Sequence, residues 1–289
     1  MIQRKRFRLR LPSRTLVLGE RTLIMGVLNV TPDSFSDGGE FRDSAKAIER
    51  ALEIEREGAD ILDIGGESTR PGSIGVTAEE ELRRVLPVIE GLRGRLKIPI
   101  SIDTQKAKVA EAAIAAGAEI INNVNALRAD TGMLEVARRR GAAMILMHMR
   151  GTPRTMQKGT FARDVVRDVM KGLRTAIAGA RQAGIVKSRI IVDPGIGFGK
   201  NYRQSFELIA RLAELGKLGY PVLVGVSRKA FIGDALGGAA PEQRSWGTAG
   251  AVAASILGGA HIVRVHDVDE MKQVTRVADR IVAVPRKRG

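Results

Sequence analysis

One short phrase recurs along this 289-residue chain and constrains its fold more than any other feature. A helical stretch ends in glycine, a residue or a few follow, and a run of β-branched or aliphatic residues begins. The instances are Gly58-Ala-Asp-Ile-Leu-Asp63, Gly117-Ala-Glu-Ile-Ile-Asn122, Gly141-Ala-Ala-Met-Ile-Leu146, Gly184 before Arg189-Ile-Ile-Val-Asp193, Gly219-Tyr-Pro-Val-Leu-Val224 and Gly259-Ala-His-Ile-Val-Arg264. Glycine takes the left-handed cap conformation after a helix without a Cβ penalty. Short apolar runs suit strands buried on both faces, as in parallel sheets. Thr22–Val30 and Ile98–Asp103 bring the count to eight strands.

Helical patterns separate these strands. In Thr77–Leu92, Thr77 and Glu80 match a capping box, and Leu82, Val85, Leu86 and Ile89 form one apolar stripe, with a kink predicted at Pro87. Eight evenly spaced units predict a single (β/α)₈ TIM barrel over residues 1–289, with basic tails at 1–14 and 284–289. An open doubly wound sheet is the alternative.

Each strand finishes in residues that a buried strand would not choose: Asn29, Asp63 with Glu67, Asp103, Asn122, His148, Asp193, Ser227 with Lys229, and Arg264 with His266. One such residue is readily a turn or cap residue; all eight ends together predict an active site at the C-terminal mouth of a barrel. Buried Asp103, Asp193 and Asn122 suit a flat heterocycle with N–H and C=O edges. Arg70, Lys229, Arg264 and His266 suit a phosphorylated or carboxylated ligand. Arg264 and His266 are two apart and so share one face of a strand. His148 is read equally as core or site, and His261 as structural.

Two glycine-rich segments, Thr31–Gly39 and Asp193–Lys200, are read as lids over the mouth, each with one aromatic, Phe35 or Phe198. The second is not a phosphate-binding P-loop, because Asn201 follows Lys200 where serine or threonine is required. No Gly-x-Ser-x-Gly elbow is present, and the three histidines are too scattered for a zinc site. Without cysteine there are no disulfides. The net charge of +15 draws on eight basic residues in the two tails, and few aromatic rings offer stacking platforms, so no nucleic-acid partner is expected. No membrane span is expected either, and cytoplasmic residence is the resulting reading.

At this point the motifs carry a resemblance. Met25-Gly-Val-Leu-Asn-Val-Thr-Pro-Asp-Ser-Phe-Ser-Asp-Gly-Gly39, Asp63-Ile-Gly-Gly-Glu-Ser-Thr-Arg-Pro-Gly72, Ser101-Ile-Asp-Thr104, Met147-His-Met149, Asp193–Lys200, Gly225-Val-Ser-Arg-Lys229 and Arg264-Val-His-Asp267 follow one another in order. The series resembles the dihydropteroate synthases, pterin-binding barrels of folate biosynthesis. The resemblance implies an enzyme that joins 6-hydroxymethyl-7,8-dihydropterin diphosphate to p-aminobenzoate, releasing diphosphate. It implies that Asp103, Asn122, Met147, Asp193 and Lys229 hold the pterin. Asn29, Arg264 and His266 would bind diphosphate, with Mg²⁺ at Asn29. Thr69, Arg70, Pro71, Ser227, Phe35 and Phe198 would form the p-aminobenzoate site. Asp37, Lys229, Arg264 and His266 would act in catalysis, and a homodimer is implied. One position departs from the family pattern: Asn123 stands where the family usually has Asp, which puts support for Asn122 in doubt.

An aromatic amine is a poor nucleophile, so catalysis is expected to act on the leaving diphosphate. A methyltetrahydrofolate–corrinoid methyltransferase of the same pterin-binding group, and a catalytically silent barrel, are the alternatives.

Overall fold

The computed structural model describes residues 4–31, 40–68, 75–123, 132–151, 156 and 161–284, with the side chains of 40–42 excepted. The eight predicted strands all form: β3 (Leu23–Asn29), β4 (Ile61–Gly65), β5 (Ile100–Asp103), β6 (Ile120–Asn123), β7 (Ala143–Met147), β8 (Ile190–Asp193), β9 (Leu223–Gly225) and β10 (Ile262–Val265). They pair in parallel in the order β8-β7-β6-β5-β4-β3-β10-β9. A bridge between Val192 and Val222 joins the two outer strands and closes the ring. The glycines that precede the strands all have positive φ, from +67° at Gly141 to +125° at Gly117, the backbone that the recurring junction predicts.

Between the strands run α1 (Glu40–Glu57), α2 (Ala78–Gly91), α3 (Ala107–Ala116), α4 (Gly132–Arg140), α5 (Val165–Gln182), α6 (Tyr202–Ala210), α7 (Ala230–Ala235), α8 (Ser245–Leu257) and α9 (Val268–Ala283). Thr77 caps α2 by accepting from the Glu80 N–H at 3.2 Å, and the helix continues through an exposed Pro87. Successive strand residues point to opposite faces. One set, including Ile24, Ile64, Ile102, Ile121 and Leu146, packs outward against the helices. The other, including Met25, Ile61, Ile120, Ile145, Ile191, Leu223 and Ile262, fills the lower barrel.

The N-terminus corrects the sequence reading. Residues 7–14 are not a basic tail. Phe7–Arg10 (β1) pairs antiparallel with Thr15–Leu18 (β2), and Leu9, Leu11 and Leu18 join the lower barrel core. Buried Arg4 is tied to Thr22 Oγ1 at 2.6 Å and to Asp279 at 2.5 Å. His261 locks the same corner. Its Nδ1 accepts the Val222 N–H at 3.1 Å, so its proton lies on Nε2, 3.0 Å from the Lys5 carbonyl.

Burial, with the nearby Arg4 charge, lowers the His261 pKa from 6.5 to about 4. The unfolded chain therefore binds the extra proton first as pH falls. Stability from this residue is complete above pH 6.5 and is lost progressively toward pH 4, by about 3 kcal/mol. Urea unfolding across that range should show a shallower pH slope in His261→Gln than in the wild type. Equal slopes would remove His261 from the acid response.

Candidate active site

Two residues further along the inward face, apolar side chains give way to polar ones. Ile61 is followed by Asp63, Ile120 by Asn122, Ile191 by Asp193 and Ile262 by Arg264, while Ile145 is followed by Met147. Period-two alternation aims all of them into the C-terminal mouth. Asp103 on β5 pairs in register with Asn122 on β6, and Met147 on β7 with Asp193 on β8. Asn29 ends β3, in register with Gly65.

Arg264 reaches across the barrel to two carboxylates. Its Nε donates to Asp63 Oδ2 at 2.6 Å and its Nη2 to Asp103 Oδ2 at 2.9 Å. Asn122 Nδ2 donates to the same Asp63 oxygen at 3.0 Å. The other oxygens, Asp63 Oδ1 and Asp103 Oδ1, are buried with no hydrogen-bond partner among the described residues. Burial pushes the Asp103 carboxyl up to about 7 against the pull of Arg264, with Asp63 adding to the rise. Asp193 is raised by burial, and chiefly Lys229 opposes the rise. Burial lowers Lys229 to about 8 while Asp193 holds it up. The mouth is thus a dry array of acids and bases in which an incoming donor finds acceptors already desolvated.

The remaining predicted residues fall around this array. Ser227 Oγ lies 3.0 Å from His266 Nδ1 and accepts the His266 backbone N–H at 3.2 Å, which joins two segments that the sequence reading assigned to different ligands. Phe198 packs on Met147, Met149 and Met156, with the Lys229 ammonium 4.6 Å from its ring centre. Lys229 also donates to the Ile196 carbonyl. Asp37, Phe35, Thr69, Arg70 and Pro71 lie outside the described residues.

Two readings change and one left open is decided. Asn123 occupies the opposite face of β6 from Asn122, opposite Leu146 in the outer core, so its neutral side chain does not face the pocket. His148 likewise lies on the outer side of its strand, and its ring fills a notch at Gly172 of α5, where a Cβ would stand 2.4 Å from Cδ2. Glu67 is engaged outside the array, accepting from Lys106 at 2.8 Å and from the Val76 N–H at 3.1 Å.

The main residue that the sequence reading gave no role is Asp63, which is completely buried. The available signal was its position two residues after Ile61, on the inward face.

Over residues 25–266 the chain matches the family described as pterin binding enzymes. A dihydropteroate synthase of Synechocystis is 48% identical over 263 residues, covering 91% of both chains. The chain belongs to the dihydropteroate synthase family. Two solved structures of the Xanthomonas albilineans family member agree. One, with 4-aminobenzoic acid, is 44% identical with TM-score 0.90, covering 97% of this chain and all of that one. The other, with 7,8-dihydropteroate, is 43% identical with TM-score 0.86, covering 96% and 100%.

The family assignment leaves Asp63 as the hub on which both Arg264 and Asn122 depend. Removing one partner of a buried ion pair exposes the other's desolvation cost. Asp63→Ala should lower unfolding free energy by about 3 kcal/mol in urea titration. A loss below about 1 kcal/mol would mean that the pairing is not needed for folding.

Proposed function

We infer that the chain condenses 6-hydroxymethyl-7,8-dihydropterin diphosphate with p-aminobenzoate to give 7,8-dihydropteroate and diphosphate. The observation that carries this reading is Asp103 Oδ1, buried without a hydrogen-bond partner among the described residues, in register with Asn122 and at the same barrel mouth as Asp193 and Lys229. A pterin edge presents adjacent N–H donors and a carbonyl, and this set offers the complementary acceptors and donors. Met147 supplies an apolar wall in the same pocket. Asn29, Arg264 and His266 line the side from which diphosphate would leave. Ser227 and Phe198, together with Thr69, Arg70, Pro71 and Phe35, complete the p-aminobenzoate site in this reading.

Arg264 has a dual setting. Bound to Asp63 and Asp103, its charge is largely neutralised before ligand arrives. When the pterin occupies Asp103, the guanidinium is released in part and can stabilise charge growing on the diphosphate, aided by His266. Lys229 and Asp193 hold the pterin, and Asp37 organises the reacting centre. Displacement breaks the methylene C–O bond, and the amine forms the new C–N bond and loses a proton to solvent or the departing diphosphate.

Mg²⁺ fits the donor set. The mouth offers hard oxygen ligands, and Asn29 provides a neutral amide oxygen. Among the described residues no three acidic or histidine side chains gather as a metal cage. Asn29 would hold the ion through its amide oxygen. Bound there, it would supply positive charge at the leaving group.

A homodimer belongs to the same proposal. The outer face of α8 presents Trp246, Gly250 and Ala254, and neighbouring α9 presents Val277 and Ile281, with Trp246 89% exposed. An apolar patch of this kind suits a second copy of the chain. Among the described residues no helix is long and apolar enough to cross a membrane. Cytoplasmic residence stays part of the reading on composition alone.

Purified protein given the pterin diphosphate and Mg²⁺ should release diphosphate only when p-aminobenzoate is present, and chelation with EDTA should abolish release. Release without p-aminobenzoate, or none despite pterin binding, would overturn the condensation. Since pterin N–H groups bond more strongly to a carboxylate than to a protonated carboxyl, pterin affinity should weaken as pH falls through about 7, the Asp103 value. Arg264→Ala removes the charge that holds this carboxyl down, so the midpoint should move upward in calorimetric titration. Trp246→Glu should shift the sedimentation coefficient to that of a monomer.

A further inference from the structure

Among the largest fully buried side chains of the described residues is a lysine that the reaction scheme above does not use. Lys200, 2% exposed, follows the glycine-rich segment after β8. Its Nζ lies 2.9 Å from the His148 carbonyl, 2.9 Å from the Pro194 carbonyl and 2.8 Å from the Gly195 carbonyl. A buried carbonyl requires a donor, and an ammonium has three N–H bonds for these three acceptors. The neutral amine has two and would lose one of these bonds, leaving the Gly195 carbonyl only the Phe198 N–H at 3.0 Å. His148 Nδ1, at 3.0 Å, shares one of the N–H groups as an acceptor. That places the imidazole proton on Nε2, 3.5 Å from Asp168.

One peptide group connects this lysine to the mouth. The Pro194 carbonyl points to Lys200, and the N–H of the same peptide unit, on Gly195, donates to Asp193 Oδ1 at 2.7 Å. In a trans peptide the C=O and N–H point in opposite directions, so fixing one end aims the other. The turn has no slack. Gly195 has φ +62°, and a Cβ there would stand 2.0 Å from the His148 oxygen. The His148 N–H in turn donates to the Asp193 carbonyl at 2.9 Å. Gly195 thus serves close packing against a carbonyl that the ammonium binds.

We propose that Lys200 is a positioning residue for the Asp193 carboxylate, acting through the Pro194–Gly195 peptide. Its charge also acts directly. Asp193 is raised by burial and drawn down by Lys229, the Gly195 N–H, Lys200 and Arg264. Burial lowers Lys200 itself to about 7, countered by Asp193 and Asp168, while Lys229 and Arg150 oppose its charge. The three carbonyl bonds favour the ammonium beyond these charges. The effect on pterin binding rests on the reading that Asp193 contacts the pterin; the effect on Asp193 does not.

Lys200→Met, similar in length but without N–H donors, tests this. In the folded variant the Asp193 side-chain carboxyl, followed by ¹³C resonance against pH, should titrate higher than in the wild type. Affinity for 6-hydroxymethylpterin should fall about tenfold, the equivalent of roughly 1.4 kcal/mol, while KM for p-aminobenzoate stays unchanged. Lys200→Cys, alkylated with bromoethylamine while unfolded and then refolded, restores an ammonium at the same reach and should recover both. An unmoved Asp193 titration in Lys200→Met overturns the proposal. Asp193→Asn with unaltered pterin affinity would instead remove Asp193 from the ligand site and leave the titration result to stand or fall separately. Should Lys200→Met fail to fold, the wild type carries the test. Its Asp193 ¹³C resonance should show a step coincident with loss of the Lys200 ¹⁵Nζ proton, and a step coincident with Lys229 alone overturns the proposal.

Discussion

The geometry of the mouth depends on Arg264 spanning the barrel between Asp63 and Asp103. The three residues come from β10, β4 and β5, separated in sequence by as much as 201 positions. Two carboxylates this close would not both ionise in a dry interior without the guanidinium. The guanidinium in turn would not be tolerated there without them. Each makes the others affordable, and the Asn122 amide is oriented as a by-product because it donates to the same Asp63 oxygen. The arrangement stores acceptor capacity, since one oxygen of each acid is left for a ligand.

A second charge system, around Asp193, is built differently. Lys229 comes from the segment after β9 and acts on Asp193 mainly through its charge. Lys200 comes from beneath and acts through a peptide group. The two sides of the pocket are therefore held by different means: direct ion pairing on one side, backbone geometry on the other. Phe198, between Lys229 and the methionines, marks where the polar pocket meets an apolar rim.

Much of this was legible in the sequence because strand alternation and the glycine junction are local signals. Asp103, Asn122, Asp193 and Arg264 could be placed at strand ends from their neighbours alone. Asp63 was visible by the same rule but given no role, since its partners are decided by ring closure. Asn123 and His148 were misjudged or left open for a related reason. Residues adjacent in sequence face opposite layers, and only the register says which layer is the pocket. The hairpin β1–β2 went unread because Arg4, Arg6, Arg8 and Arg10 dominate its composition. Phe7, Leu9 and Leu11 already carried the period-two pattern of a half-buried strand. Lys200 stood inside a recognised motif, yet nothing local says that its nitrogen meets three carbonyls.

The corner where Arg4, Thr22 and Asp279 meet joins the N-terminal segment to helix α9. The ring is likewise completed by β10, which pairs with both β3 and β9. A ribosome delivers β3 long before β10, so during synthesis the leading strand has an unpaired edge until almost the whole chain has emerged. Contacts of such sequence separation are slow to form. Any sheet formed before β10 is made carries an open flank at β3, the kind of unpaired edge that can pair with another chain.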